Sequence, residues 1–299
     1  MYYLIAILSL VVIWVILSWN DVACAAEAKV AKFKVGKASV WAIADSTNDR
    51  DMSVFPDVEP QLISQYVPSG KAPCAIMVFL VKIENELILI DAGVGAQSGD
   101  RISRLHDGLR QIGVTPEQIT LILLTHMNID HIGGLMWDDK KAFPLARVLS
   151  VKAEYDFWLD KKSLELYPNR KPNFELVQKI FEHYSSNSET FEFGAMVAPG
   201  IRSIDARGHT PGQSAFLLES DGEKLLFWAD IIHAAELQFP RPEINAHFDI
   251  NPEEAAAARV RFMDMAAEAK LLVAGSHHPF PGIGTVEKSA SSGYVYTSR

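Results

Sequence analysis

Thr125-His126-Met127-Asn128-Ile129-Asp130-His131-Ile132-Gly133-Gly134 follows directly on the apolar run Leu121-Ile122-Leu123-Leu124. A buried strand that ends in a burst of imidazole and carboxylate groups delivers several metal ligands to one point. The two glycines after it let the backbone turn tightly without a Cβ clash. A polar loop that happens to be rich in His is the plain alternative. Two His and an Asp crowded into six positions after a strand argue against it.

Partners for such a site are expected far away in sequence, each at the end of a strand. Gly208-His209-Thr210-Pro211-Gly212 follows the alternating stretch 201–206, Asp230 closes Leu225-Leu226-Phe227-Trp228-Ala229, and His277 follows Leu271-Leu272-Val273-Ala274-Gly275. Singly, His209 reads as a turn residue, Asp230 as a helix N-cap and His277 as a surface His. Together with the decapeptide they are better explained as a two-metal centre, because sheets place side chains at one edge through their strand ends.

From about Val35 to its end the chain resembles a metallo-β-lactamase-fold metallohydrolase. Ala229-Asp230-Ile231-Ile232-His233 and His277-His278-Pro279-Phe280-Pro281-Gly282-Ile283-Gly284 are similar to the branch of methyl-parathion hydrolase and lactonase-like enzymes. The family pattern is His-x-His-x-Asp-His, a lone His, a bridging Asp and a last His. The resemblance implies a first metal site of His126, position 128 and His209. It implies a second of Asp130, His131 and His277, with Asp230 bridging. The resemblance implies His277 rather than His278, because the family's last ligand sits three residues before the Phe-Pro-Gly. Asn128 is the departure: a carboxamide oxygen is a weak, uncharged donor where the family has an imidazole. The expected complement is therefore one tight Zn2+ and a second that is weak or absent, with other divalent metals open. Asp91, which ends a strand, is implied to support the ligand loop.

A bound ion lowers the pKa of water from about 16 to about 7, so water is the expected nucleophile. No Gly-x-Ser-x-Gly elbow is present to offer a serine instead. Asp130 and Asp230 are the expected catalytic carboxylates. Phe55, His233 and Trp158 are assigned to the substrate pocket, although core packing is the plain reading of Trp158 and structural hydrogen bonding that of His233 and of His247. His106 and His183 read as solvent-facing. Esters, lactones, β-lactams and organophosphates all suit the chemistry, and the resemblance leans toward lactones or organophosphate-type esters. Two other readings stand beside it: a degenerate metal-binding relative with little turnover, and a mononuclear iron redox enzyme, for which neither a flavin motif nor a second redox domain is present.

The 299 residues, 48% hydrophobic and 22% charged, suffice for a large core in one domain over residues 30–299. A net charge of −9 argues against nucleic acid as the partner, and the expected partner is a small-molecule substrate. A homodimer is left open. Residues 1–26 read separately. Leu4 to Trp19 is apolar but for Ser9 and Ser18, and Ala23-Cys24-Ala25-Ala26 offers a small-residue cleavage site. That pattern implies export to a periplasmic or secreted location, although the n-region lacks Lys and Arg. An uncleaved membrane anchor is the alternative, but sixteen helical residues at about 1.5 Å each fall short of a bilayer core of about 30 Å. A lipid-modified Cys24 is weaker still, given Asp21. Cleavage would leave Cys74, read as a small buried hydrophobe, without an intramolecular disulfide partner.

Strand signals fall at Ala38–Ala44, Ala75–Ile83, Leu87–Ile90, Leu121–Thr125, Ile201–Asp205, Ala215–Glu219 and Leu225–Trp228. Helix signals fall at Ile102–Ile112, Lys152–Leu159, Phe174–Tyr184 and Pro252–Ala269. The segment Ser46–Pro73 reads as a long irregular lid or pocket wall. Strand blocks and helices alternating in two similar halves fit an α/β fold of two sheets between helices, the four-layer αββα sandwich that the resemblance also implies.

Overall fold

The computed structural model of the protein describes residues 28–95 and 103–299. The expected signal peptide or anchor over residues 1–26 lies outside these, as does Ile102, the expected start of one helix. Among the described residues no helix is long and apolar enough to cross a membrane.

The first sheet is built from β1 (Lys29–Val35), β2 (Ala38–Asp51), β3 (Lys71–Ile83), β4 (Glu86–Ile90) and β5 (Leu121–Leu123). A short hairpin of β6 (Met136–Trp137) and β7 (Lys140–Lys141) stands apart before β8 (Arg147–Val151) and β9 (Ser188–Phe191) complete it in the order β1-β2-β3-β4-β5-β8-β9. The second sheet runs in sequence order through β10 (Met196–Ala198), β11 (Ile201–Asp205), β12 (Ser214–Ser220), β13 (Glu223–Phe227), β14 (Leu272–Ala274), β15 (Ile283–Lys288) and β16 (Tyr294–Ser298).

β3 explains the layering. Its residues from Cys74 to Val81 are buried without a break, so both faces of the strand are covered. Val78 and Leu80 join a cluster with Leu105, Leu109, Trp158, Phe174 and Phe181 from the outer helices. Met77, Phe79 and Val81 join another with Phe216, Leu218, Leu225 and Phe227 of the second sheet, where the Phe79 and Phe227 rings meet at 5.4 Å. The far face of that second sheet packs Leu226 and Ala215 on Ala258, Phe262, Met263 and Ala266 of the helix Pro252–Ala269. Helix, sheet, sheet, helix is the expected four-layer sandwich. Asn251 caps the last helix by accepting from the Glu254 amide, with Pro252 at its first position.

Strands β4, β5, β8 and β9 pair in parallel, as do β13 and β14. The loops after β4, β5, β13 and β14 carry Asp91, the decapeptide, Asp230 and His277 respectively. Carboxyl ends of parallel strands are where such sheets present ligands.

Two element readings need correction. Ser46–Pro73 is not irregular: β2 runs on to Asp51, a turn of 3-10 helix follows at Met52–Val54, a helix at Pro60–Tyr66, and β3 already starts at Lys71. β2 and β3 pair as far as Asp51↔Lys71, across a bulge between Ala44 and Ser46 that breaks the alternation used to read strands. The Phe174 helix begins at Lys171, because Pro172 sits in its first turn, where a missing N–H costs nothing.

Candidate metal centre

Asp91 organises the decapeptide. Its Oδ1 accepts the Thr125 amide at 2.8 Å, and its Oδ2 accepts the Thr125 hydroxyl and His131 Nδ1, each at 2.8 Å. With its proton thus held on Nδ1, His131 turns Nε2 inward, 3.2 Å from Asp230 Oδ1. The Thr125 hydroxyl in turn accepts from His126 Nδ1 at 3.1 Å, and this also leaves Nε2 facing the centre. The Gly-Gly step is a close approach: Cβ atoms on Gly133 and Gly134 would stand 2.1 Å from Val94 O and 1.9 Å from Ala92 O.

The remaining ligand-type groups arrive from the second sheet. His209 donates Nδ1–H to Asp249 at 2.8 Å, and its Nε2 lies 3.6 Å from Asp230 Oδ2. His277 Nε2 is 2.9 Å from the same oxygen and 3.5 Å from Asp130 Oδ2. His126 Nε2 is 3.7 Å from Asp230 Oδ2. Asp230 follows Ala229, whose φ of 53° throws the chain into the turn that aims the carboxylate at the centre. His278 points elsewhere, into the Trp228, Phe239 and Tyr296 rings.

Charge at the centre is strongly coupled. Burial alone would raise Asp230, but the His131, His277 and His126 imidazoles pull it well below the usual carboxylate range. Burial alone would lower His131, and Asp230, Asp91 and Asp130 lift it well above its ordinary value instead. His277 rises to about 9, Asp230 overcoming its burial. His126 falls well below its ordinary value through burial and the neighbouring His131, and burial takes His233 down to about 3.

The donors fit a divalent metal ion. His126 Nε2 is buried without a hydrogen-bond partner among the described residues, and His131 Nε2 and Asp230 Oδ1 face only each other, at 3.2 Å. A buried orphan such as His126 Nε2 costs roughly 1–3 kcal/mol unless something binds it. Atoms of His126, His131 and Asp230, and likewise of Asp130, His131 and His277, lie within 4.8 Å of one another. Imidazole nitrogen with carboxylate oxygen is a donor set that suits zinc and similar ions. Asn128 differs: its Nδ2 stands 2.8 Å from His209 Nε2. Because His209 holds its proton on Nδ1 for Asp249, Nε2 carries the lone pair. Only the amide N–H side of Asn128 satisfies it.

A cleft of about 360 Å³ opens over the centre, with Asp130, His209, Asp230 and His277 at its floor. His233 and His247 line it, His233 buried and bonded to Asp230 Oδ2 at 3.1 Å, His247 exposed at the rim. Two pocket assignments are corrected. Phe55 is buried against Met52, Val67 and Leu237, and its neighbour Val54 faces the cleft. Trp158 is fully buried in the outer core, its indole N–H donated to Glu154 at 2.6 Å. His106 is not solvent-facing either: it is half-buried and stacked on Phe143 at 5.6 Å. Cys74 is buried as expected, but it is more than filler, with Sγ 3.8 Å from His277 Nδ1.

Sequence reading missed the supports. Glu154, fully buried, accepts from Met127 N, Trp158 Nε1, Gly212 N and Thr210 Oγ1, and so ties the His126 loop to the His209 loop. Asn173 clamps the same loop through Met127 O and Ile129 N. Arg50 and Arg170 line the cleft. Arg50 forms no ion pair among the described residues, and its buried Nε has no partner. No local pattern in the sequence marks any of these.

Residues 72–277 match the family model of the metallo-beta-lactamase superfamily, and the chain belongs to that superfamily. Among solved structures it is similar to the hydrolase AbOPH of the beta lactamase superfamily, 30% identical with a TM-score of 0.86, covering 91% of this chain and 98% of that one. It is also similar to AidC, a dizinc quorum-quenching lactonase solved with a product, at 27% identity and a TM-score of 0.84 over 91% of this chain and 98% of that one. An N-acyl homoserine lactonase from Bacillus sp is 22% identical over 180 residues, 53% of this chain. The match spans 64% of that curated relative's length.

Proposed function

We propose that the protein is a metal-dependent hydrolase that opens small esters, lactones or organophosphate-type esters with water. The observation that carries this reading is the convergence of Asp130, Asp230 and His277 at the floor of an open cleft, grouped with the buried His131, while the buried His126 Nε2 has no hydrogen-bond partner among the described residues. Similarity to a dizinc lactonase supports zinc as the ion and lactones as the first substrates to test.

A divalent ion held there supplies Lewis acidity, polarising the electrophile and making deprotonation of water accessible near neutral pH. The chain supplies position and charge. The Asp130 carboxylate is 17% exposed into the cleft while Asp230 is almost wholly enclosed. Asp130 is therefore the group that orients the attacking water and takes up its proton. Arg50 and Arg170, on the cleft wall, offer guanidinium N–H groups to the oxygens of a bound ester or phosphoester. Glu154 and Asn173 hold the ligand loop still while this happens.

Asn128 weakens the first metal site in this reading, because its amide N–H covers the His209 lone pair. The same feature favours a second reading, a metal-binding relative with little turnover. Activity against an ester and lactone panel, measured after chelation and again after adding back Zn2+, Mn2+ or Co2+, separates the two. Hydrolysis that vanishes with chelation and returns with metal is the expected result. No turnover on any substrate with metal fully restored favours the second reading. The N-terminal pattern supports export with cleavage after Ala25 or Ala26. A mature N-terminal mass that begins at Met1 would overturn that part.

A further inference from the structure

We infer that Arg50 and Arg170 form an anion subsite on the wall of the cleft, so that the substrate opened at the centre carries an anionic oxygen group, a carboxylate or a phosphoryl, near its scissile bond. This rests on the hydrolase reading above and names the charge of its substrate. Three observations carry it, and all of them lie outside the ligand motifs.

The first is the lack of counter-ions. Arg104, Arg110, Arg147, Arg207, Arg241 and Arg259 each pair with a carboxylate, whereas Arg50 and Arg170 pair with none among the described residues. Arg50 Nη2 donates only to the Cys74 sulfur at 3.5 Å, a weak acceptor, and Arg170 Nη2 donates to the Phe248 carbonyl at 2.5 Å. A guanidinium has five N–H donors, so most on each side chain remain for a ligand. Solvent does not serve them all: Arg50 Nε is buried and has no partner among the described residues. The second is placement. Both side chains are half-buried on the cleft wall and meet at Phe248, Arg50 over its ring at 5.5 Å and Arg170 on its carbonyl. The Phe248 ring packs on His233 at 4.6 Å and on His209 at 5.7 Å, and the Cys74 sulfur that Arg50 touches is 3.8 Å from His277 Nδ1. Both guanidinium groups therefore border the metal centre.

The third is the charge of the cleft. Among the described residues its lining holds two carboxylates, Asp130 and Asp230, and both stand on the floor among the imidazoles. Metal or imidazolium charge balances them there, and two fixed positive charges remain on the wall. In a chain of net charge −9 such a cleft is a local reversal of sign. Low-dielectric walls focus its field and draw in anions. The guanidinium fork matches carboxylate and phosphate oxygens alike, so the geometry names an anionic oxygen group. A neutral ester would fill the cleft and leave both cations without a counter-ion.

The test pairs an anionic ester with a neutral one. The mono-p-nitrophenyl ester of glutaric acid and p-nitrophenyl valerate differ only in a terminal carboxylate against a methyl. The full chain loaded with Zn2+ should prefer the anionic ester by about tenfold or more in kcat/KM, and added salt should erode the preference. Arg50→Gln and Arg170→Gln should each reduce that ratio by about tenfold, the scale of a hydrogen bond to a charged group. Arg50→Met or Arg170→Met replaces a Gln variant that circular dichroism shows to be unfolded. A ratio near one in the wild type, or a ratio that neither substitution moves, overturns the subsite. Calorimetry on the metal-stripped full chain, where no ion can take the anion, reads the subsite without turnover. Glutarate and inorganic phosphate are the separate probes, and the tighter one names the group. Either substitution should weaken that probe by about fivefold or more. Binding of neither probe, or binding that both variants retain, overturns the subsite. Hydrolysis of neither ester with metal restored counts against the hydrolase reading instead, and calorimetry then decides the subsite alone.

Discussion

At the residue scale, Asn128 stands where the family resemblance implies a His, and the effect proposed for it follows from one hydrogen bond. Asp249 fixes the proton on His209 Nδ1, so the lone pair on Nε2 faces the Asn128 amide at 2.8 Å. A metal ion and that N–H compete for the same electrons. Asn128→His removes the competitor and adds a donor at a position already shaped for one. Second-ion affinity should rise by at least about tenfold, the scale on which even outer-shell changes act, and hydrolytic rate should rise with it. Isothermal titration with Zn2+ alongside steady-state kinetics checks this, and unchanged values of both would mean that the site has been remodelled beyond one ligand. The ligand-type residues were legible because each stands at the end of an apolar run. Trp158 and Phe55 were misplaced for reasons of the same kind. An aromatic at helical spacing packs into a core or lines a cleft with the same periodicity. In the short turn at Met52–Val54, a step of one residue separates Val54 in the cleft from Phe55 in the core.

At the scale of elements, the site hangs from strand ends that the sequence marked clearly, and the braces between them were not marked at all. Glu154 lies on the helix Lys152–Leu159 and bonds to loops 27 and 56–58 residues away. Such a role depends on tertiary placement, and a lone Glu in a helix gives no sign of it. Each of its partners is a donor, so a carboxylate satisfies all of them and a carboxamide turns an N–H toward some. Glu154→Gln should therefore lower stability by roughly 2–4 kcal/mol, the cost of leaving one or two buried donors unpaired. Urea denaturation of the metal-free protein measures it without interference from ligand binding. A loss below about 0.5 kcal/mol, the usual range of surface substitutions, would remove Glu154 from the framework.

For the whole molecule, the four layers bury titratable groups that set its response to acid. His106 is half-buried against Phe143 and Trp137, and burial lowers its pKa below 6.5 despite the opposing pull of Asp45. The unfolded chain takes up this proton at about pH 6.5 while the folded chain resists it. Below that pH the unfolded state thus binds more protons, and stability falls as pH falls. His106→Phe keeps the ring stack and removes the titration. The wild type should lose more stability than this variant between pH 8 and pH 5.5; equal losses by urea denaturation would show that His106 takes no part.

The central claim is a metal centre with one intact and one weakened site, and metal content tests it most directly. The full chain is loaded with excess Zn2+, dialysed against a mild chelator and assayed for zinc per folded chain by mass spectrometry. One ion should remain, held by Asp130, His131, His277 and Asp230, with a second present only while free metal is in excess. Two ions surviving dialysis, or none binding at all, would contradict the account.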